Sequence, residues 1–151
     1  MKVADILRVK GDALYTVSPE APLAQAVATM AEQDLGSVVV MDRGRLVGML
    51  TFREVINRVH ANGGALGDLR VGALMDAAPL TVAPGTEVME VRRQMLERHA
   101  RYVPVLDGPT LAGVISFYDV ARAVYEEQSF ENRMLKAYIR DWPEPEEEVR
   151  P

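Results

Sequence analysis

The chain aligns with itself. Thr16-Val17-Ser18-Pro19 recurs as Thr81-Val82-Ala83-Pro84. The same offset of 65 residues, held without a gap, pairs Met30 with Met95, Glu32 with Glu97, Val38 with Val103, Val40 with Val105, Asp42 with Asp107, Leu46 with Leu111, Gly48 with Gly113, Phe52 with Phe117 and Val55 with Val120. A fixed register over such a span identifies the structural unit before any propensity is consulted. Upstream, Val3-Ala4-Asp5-Ile6-Leu7 resembles Val71-Gly72-Ala73-Leu74-Met75 at an offset of 68, so the first copy carries a three-residue insertion around Lys10 to Tyr15. Units of this half-length rarely bury enough surface to stand alone, so one pseudo-twofold module is expected. Its parts are a first repeat over 1–60, a Gly-bearing linker over 61–69, a second repeat over 70–127, a helical extension over 128–141 and an acidic tail over 142–151.

Each copy reads βαββα, which makes the fold class α+β with mixed α/β character. A short extended piece (Tyr15 to Val17; Leu80 to Val82) precedes apolar residues at helical spacing: Leu23, Ala26, Val27, Met30 and Ala31 in one copy, Val88, Val91, Met95 and Leu96 in the other. Pro22 suits a first helical turn, and Thr86 followed by Glu87 suits an N-cap. Two short apolar strands follow (Ser37 to Met41 and Leu46 to Leu50; Val103 to Leu106 and Leu111 to Ile115), joined by tight turns at Asp42-Arg43-Gly44-Arg45 and Asp107-Gly108-Pro109-Thr110. A second helix closes each copy, from Phe52 to His60 and from Phe117 into the 130s. In the latter, Phe130, Met134, Leu135, Tyr138 and Ile139 form a stripe fit to pack on the module or on a partner. The run Pro143-Glu144-Pro145-Glu146-Glu147-Glu148 reads as a solvated, disordered tail.

Composition removes several function classes. With no cysteine among 151 residues, a disulfide framework, a thiolate metal site and a thiol nucleophile are excluded. The formal net charge of -5 and the scattered arginines leave no positive face for nucleic acid. No apolar run approaches the ~20 residues that span a bilayer, and a cytoplasmic protein is expected. His60 and His99 are isolated from each other and from any carboxylate cluster, and read as surface residues. The P-loop, the dinucleotide fingerprint and the serine-hydrolase elbow are all missing, so no enzymatic activity is expected.

What repeats with chemical content is a strand-to-helix junction, Gly48-Met49-Leu50-Thr51-Phe52-Arg53-Glu54 and Gly113-Val114-Ile115-Ser116-Phe117-Tyr118-Asp119. A hydroxyl at the strand end and a carboxylate three residues on meet at a helix N-terminus, where free amides favour a phosphate or a hydroxyl-bearing ligand. The same pattern is the capping box, in which both side chains serve only their own helix. The motif alone leaves both readings open.

The order of elements adds to this. The Thr-Val-x-Pro opening, the helix, the strand beginning Leu35-Gly36-Ser37-Val38-Val39-Val40 or Arg101-Tyr102-Val103-Pro104-Val105, and the junction resemble the cystathionine β-synthase (CBS) domain, here in tandem from Val3 to about Glu127. The resemblance implies two related clefts between copies packed through their sheets, and a regulatory ligand in place of a cofactor: AMP, ADP or ATP, with S-adenosylmethionine or NAD also compatible. Carried onto this chain, it implies that Asp119 holds the ribose, Ser116 approaches the phosphate, and Arg101 and Tyr102 supply cationic or polar phosphate contacts. Tyr15, Leu35, Gly36, Ser37 and Val114 would enclose the adenine; Leu35 and Val114 suit a plain core role equally well. A weaker second site would comprise Thr51, Glu54, Met49 and Leu80. There Glu54 replaces the usual aspartate and Gly36 stands where the second copy has Arg101, so that cleft is expected to lack its arginine.

The resemblance further implies a homodimer that signals to an unknown regulated protein. A structural dimerisation module with vestigial clefts is the rival reading, and a nucleotide hydrolase the third; the latter would need a base or metal beside the phosphate.

Overall fold

The computed structural model describes residues 1–11 and 13–141. The expected acidic tail, 142–151, lies outside them. The elements run α1 (Val3–Lys10), β1 (Thr16–Val17), α2 (Leu23–Glu32), β2 (Ser37–Asp42), β3 (Arg45–Thr51), α3 (Phe52–Ala61), α4 (Val71–Leu74), α5 (Val88–Arg98), β4 (Tyr102–Asp107), β5 (Thr110–Ser116) and α6 (Phe117–Arg140). Each copy is therefore the expected βαββα unit with a leading helix in front, α1 or α4. In the second copy the first strand shrinks to a single bridge.

The repeat governs the sheets down to their irregularities. In the first sheet β1 pairs parallel with β2 (Thr16 opposite Val39) and β2 antiparallel with β3 (Ser37 opposite Thr51). In the second, β4 pairs antiparallel with β5 (Tyr102 opposite Ser116), and Val82 alone bridges parallel to Val105 where β1 would stand. The register slips between Val40 and Met41 and again between Val105 and Leu106, 65 residues on. Both hairpins turn in two residues. Arg43 and Gly44 both adopt positive φ, 51° and 77°, in one, whereas Gly108 alone does so at 58° before Pro109 in the other. Loops with these signs match the right-handed twist of the flanking strands.

The helix starts differ from the sequence expectation. Pro22 and Glu87 are themselves the N-caps, neither with a side-chain cap bond, and Thr86 instead accepts from the Ala83 amide at 3.2 Å. The first helical amides are met by backbone from outside their own copy: Leu23 donates to the Leu69 carbonyl, in the stretch joining the copies, at 2.7 Å, and Val88 to the Met1 carbonyl at 3.0 Å.

Those two bonds belong to a larger exchange. Val3 and Ala4 donate to Thr86 and Pro84, at 3.0 and 2.9 Å, while Val71 and Gly72 donate to Ala21 and Pro19, both at 2.9 Å. Each leading helix thus docks on the opposite copy. The apolar clusters follow suit, because Val3 and Ile6 are buried with Val82, Val88, Val91, Met95, Val103, Val105, Ile115, Val120 and Ala123. Val71 is buried with Leu23, Ala26, Met30, Val38, Val40 and Leu50. There are two cores, and neither follows the boundaries of the sequence repeat. Glycines make the exchange sterically feasible: a Cβ on Gly113 would come within 2.7 Å of Leu7, and one on Gly48 within 2.6 Å of Met75.

Helix α6 is continuous across the expected extension and, at 24 residues, is about 36 Å long. Only Val120 and Ala123 are buried. Phe130, Met134, Leu135, Tyr138 and Ile139 are each more than half exposed, so most of the stripe's surface stays open.

Candidate functional site

The crossing of the two copies leaves a pair of clefts. The first, of about 520 Å³, is walled by Tyr15, Leu35, Gly36 and Ser37 of the first copy and by Arg101, Tyr102, Val114 and Ser116 of the second. Eight of the nine residues expected in the main site therefore share one wall. The elements explain the convergence: Leu35 to Ser37 and Arg101 to Tyr102 are equivalent strand entries meeting across the pseudo-twofold, while Val114 and Ser116 end β5.

The ninth residue, Asp119, is placed differently from the expectation. Its Oδ2 accepts from the Ser116 amide at 2.8 Å, and the Ser116 hydroxyl accepts from the Asp119 amide at 3.0 Å, which is the complete capping box of α6. The same Oδ2 accepts from the Lys10 ammonium at 2.7 Å. Asp119 is thus off the cavity wall, while its partner Lys10 stands on it. Partial burial alone would raise this carboxyl; it is outweighed by the Lys10 and Ser116 hydrogen bonds and by the Lys10 charge, so the group titrates below the ordinary aspartate range.

Lys10 and Asp34 are charged residues on the cavity wall that the sequence reading did not place there. Lys10 also donates to the Val114 carbonyl at 2.9 Å, and so ties the end of α1 to both the edge of β5 and the start of α6. The signal was present as the insertion, since α1 has eight residues where α4 has four. The extra turn carries the lysine into the cleft.

The second cleft, of about 320 Å³, brings together all four residues expected there, Met49, Thr51, Glu54 and Leu80. Its carboxylate is wholly engaged in its own cap: Glu54 Oε1 accepts from the Thr51 amide at 3.1 Å and Oε2 from the Thr51 hydroxyl at 2.9 Å. The strand edge is closed as well. Met49, the counterpart of Val114, exchanges two backbone bonds of 2.9 Å with Asp76.

Gly36 leaves this cleft without a counterpart of Arg101 at the matching position, yet other arginines reach it. Arg53, Arg98 and Arg101 all border it, and Arg53 reaches the His99 carbonyl at 3.0 Å. Arg101 and Tyr102 border both clefts, because they stand at the pseudo-axis. Gly36 is small for the same reason, since the Tyr102 hydroxyl lies 1.7 Å from where a side-chain carbon on Gly36 would sit.

His60 and His99 are exposed, and the described residues contain no group of three His, Cys, Asp or Glu side chains fit to hold a metal. No described helix is long and apolar enough to cross a membrane.

Two exchanged copies that wall a pair of polar clefts define a tandem-repeat cleft module. The CBS domain family matches residues 3–61 and 71–126, and the chain belongs to that family. It is similar to the solved CBS-domain containing protein from Agrobacterium tumefaciens, 30% identical with a TM-score of 0.77, over 82% of this chain and 98% of that one. CBSX2, solved in complex with AMP, is 26% identical with a TM-score of 0.68, over 84% of this chain and 98% of that one. The CBS domain-containing protein CBSX3, mitochondrial, from Arabidopsis thaliana is 28% identical over 148 residues, 91% of this chain and 71% of that protein.

Proposed function

We propose that this chain is a non-enzymatic sensor whose first cleft binds an adenosine nucleotide, AMP, ADP or ATP, and whose occupancy is read by a regulated protein through a dimer surface. The observation that carries this is the meeting of Tyr15, Leu35, Gly36 and Ser37 with Arg101, Tyr102, Val114 and Ser116 around about 520 Å³, a volume in the usual range for small-molecule sites. Leu35 and Val114 give the apolar walls a base needs. Ser116, Lys10 and Arg101 give a hydroxyl and two cations for ribose and phosphate. The AMP complex of CBSX2 supports the ligand class.

The exposed faces of α3 and α6, with Ile56, Tyr125 and Met134 each more than half exposed, support self-association. They also favour the second reading, a dimerisation module with silent clefts. Titration calorimetry with AMP separates the two: binding at micromolar concentrations supports the sensor, and no heat with AMP, ADP, ATP, S-adenosylmethionine or NAD refutes it.

A further inference from the structure

The first cleft contains a cation that is held in place by the group a ribose would need. Lys10 Nζ lies 2.7 Å from Asp119 Oδ2 and 2.9 Å from the Val114 carbonyl. A ligand that engages Asp119 Oδ2 or the Val114 carbonyl must displace or share the ammonium. The stem that carries it starts at the last residue of α1, just before Gly11 turns the chain at φ 89°, and the lysine side chain is 41% exposed against 19% for Asp119. The ammonium can therefore swing into the cleft while the carboxylate stays fixed by its capping bonds.

We propose that Lys10 is a latch on the first cleft that makes it select phosphorylated nucleotides over the corresponding nucleosides. The inference rests on the nucleotide reading given above. A nucleoside that takes Asp119 with its ribose hydroxyls removes a charge-assisted partner from Lys10 and offers only neutral groups in return. A nucleotide gives the displaced ammonium a phosphate, so one charge-assisted bond replaces another. Arg101, exposed and without an acid partner among the described residues, stands on the same wall as the second phosphate anchor. It adds affinity for phosphate but does not guard the ribose acceptor. The latch belongs to one cleft only: α4 ends a turn early at Leu74, and the strand edge at Met49 is closed by Asp76 backbone, which no phosphate can draw away.

The test is calorimetric titration of the full chain with AMP and with adenosine, in wild type, Lys10→Met and Lys10→Arg. Methionine keeps an apolar stem at this partly exposed position, and a melting curve for each variant checks folding. The latch predicts that Lys10→Met binds adenosine more tightly than wild type and that the AMP-to-adenosine affinity ratio drops about tenfold or more, as expected for loss of one charge-assisted exchange. Lys10→Arg retains most of the ratio. The latch is overturned if Lys10→Met binds AMP and adenosine in the wild-type ratio, an outcome that leaves the nucleotide site standing and assigns selectivity to Arg101. Failure of wild type to bind AMP overturns the nucleotide reading itself, and the latch with it.

Discussion

Ile6→Ala, a change near the N-terminus, should loosen the C-terminal half of the chain. Ile6 is 7% exposed and packs in the core built from Val82, Val88, Val91, Met95, Val103, Val105, Ile115 and Val120, not with the strands that follow it in sequence. Truncating a buried isoleucine to alanine costs about 2–5 kcal/mol, and a position at the rim of its core falls in the lower part of that range, about 2–3 kcal/mol. In a chain of this length each kcal/mol moves the melting temperature by about 2–4 °C, so a fall of about 4–12 °C is expected. The location of the effect is more informative than its size. Sub-global openings are resolved by native-state hydrogen exchange. Exchange should rise in α5, β4, β5 and the first turns of α6 and stay near wild type in β2 and β3. Leu74→Ala, at the equivalent place in α4, should do the reverse, because Leu74 packs against the first core. If Ile6→Ala instead opens β2 and β3 and leaves β4 and β5 protected, the exchange of leading helices is wrong.

Asp119→Ala should lower thermal stability more than Glu54→Ala: both lose a capping carboxylate worth about 1 kcal/mol, but only Asp119 also pairs with Lys10, which at this exposure adds less than about 1 kcal/mol. Equal losses would refute the pairing. The folded-state titration of Asp119 lies below its ordinary 3.8, so its contribution to stability is fully present above that pH and is lost as pH falls through the lower folded value; Asp119→Asn should remove this part of the acid sensitivity in melts taken below pH 4. Gly48→Ala should cost more than Gly113→Ala by chemical denaturation. At Gly48 the new carbon meets the Asp76 carbonyl at 2.7 Å, which is backbone, whereas at Gly113 it meets the tip of Leu7, which can rotate away. Sedimentation velocity at micromolar concentration should show a dimer, and a monomer with and without AMP would remove the proposed signalling surface.

The strands, hairpins and main helices were legible because they are local. Val38, Val40, Val103 and Val105 sit at the same register positions in both sheets, and Gly44 and Gly108 carry the positive φ of their turns in the residue type, although Arg43 adopts it without that signal. The exchange of leading helices was not legible. Val3 and Val71 present the same short apolar pattern whichever copy they dock on, and the hydrogen bonds that decide the matter run through main chain to Pro19, Ala21, Pro84 and Thr86, whose side chains do not encode them. The caps were misplaced for the same reason. Thr86 has a capping side chain, but the amide of Val88 already has the Met1 carbonyl, so the hydroxyl was free to close a turn.

At the site, the sequence register was informative about which positions converge and misleading about what each cleft contains. Comparing Gly36 with Arg101 one for one assumes that every copy furnishes its own cleft. Near the pseudo-axis that assumption fails, because a side chain there faces both clefts, and Arg101 and Tyr102 do so. The arginine missing at position 36 is therefore supplied to the second cleft from position 101, joined by Arg53 and Arg98. The same geometry explains why position 36 must be empty of side chain, since Tyr102 crosses over it. What still distinguishes the clefts is which acceptors remain open to exchange. Glu54 and Met49 are committed to partners fixed in the backbone or in the same cap, while Asp119 and Val114 share a lysine on a flexible stem. The asymmetry expected from a missing arginine thus rests on the insertion that lengthens α1, a three-residue departure from the repeat whose consequence appears only where the two copies cross.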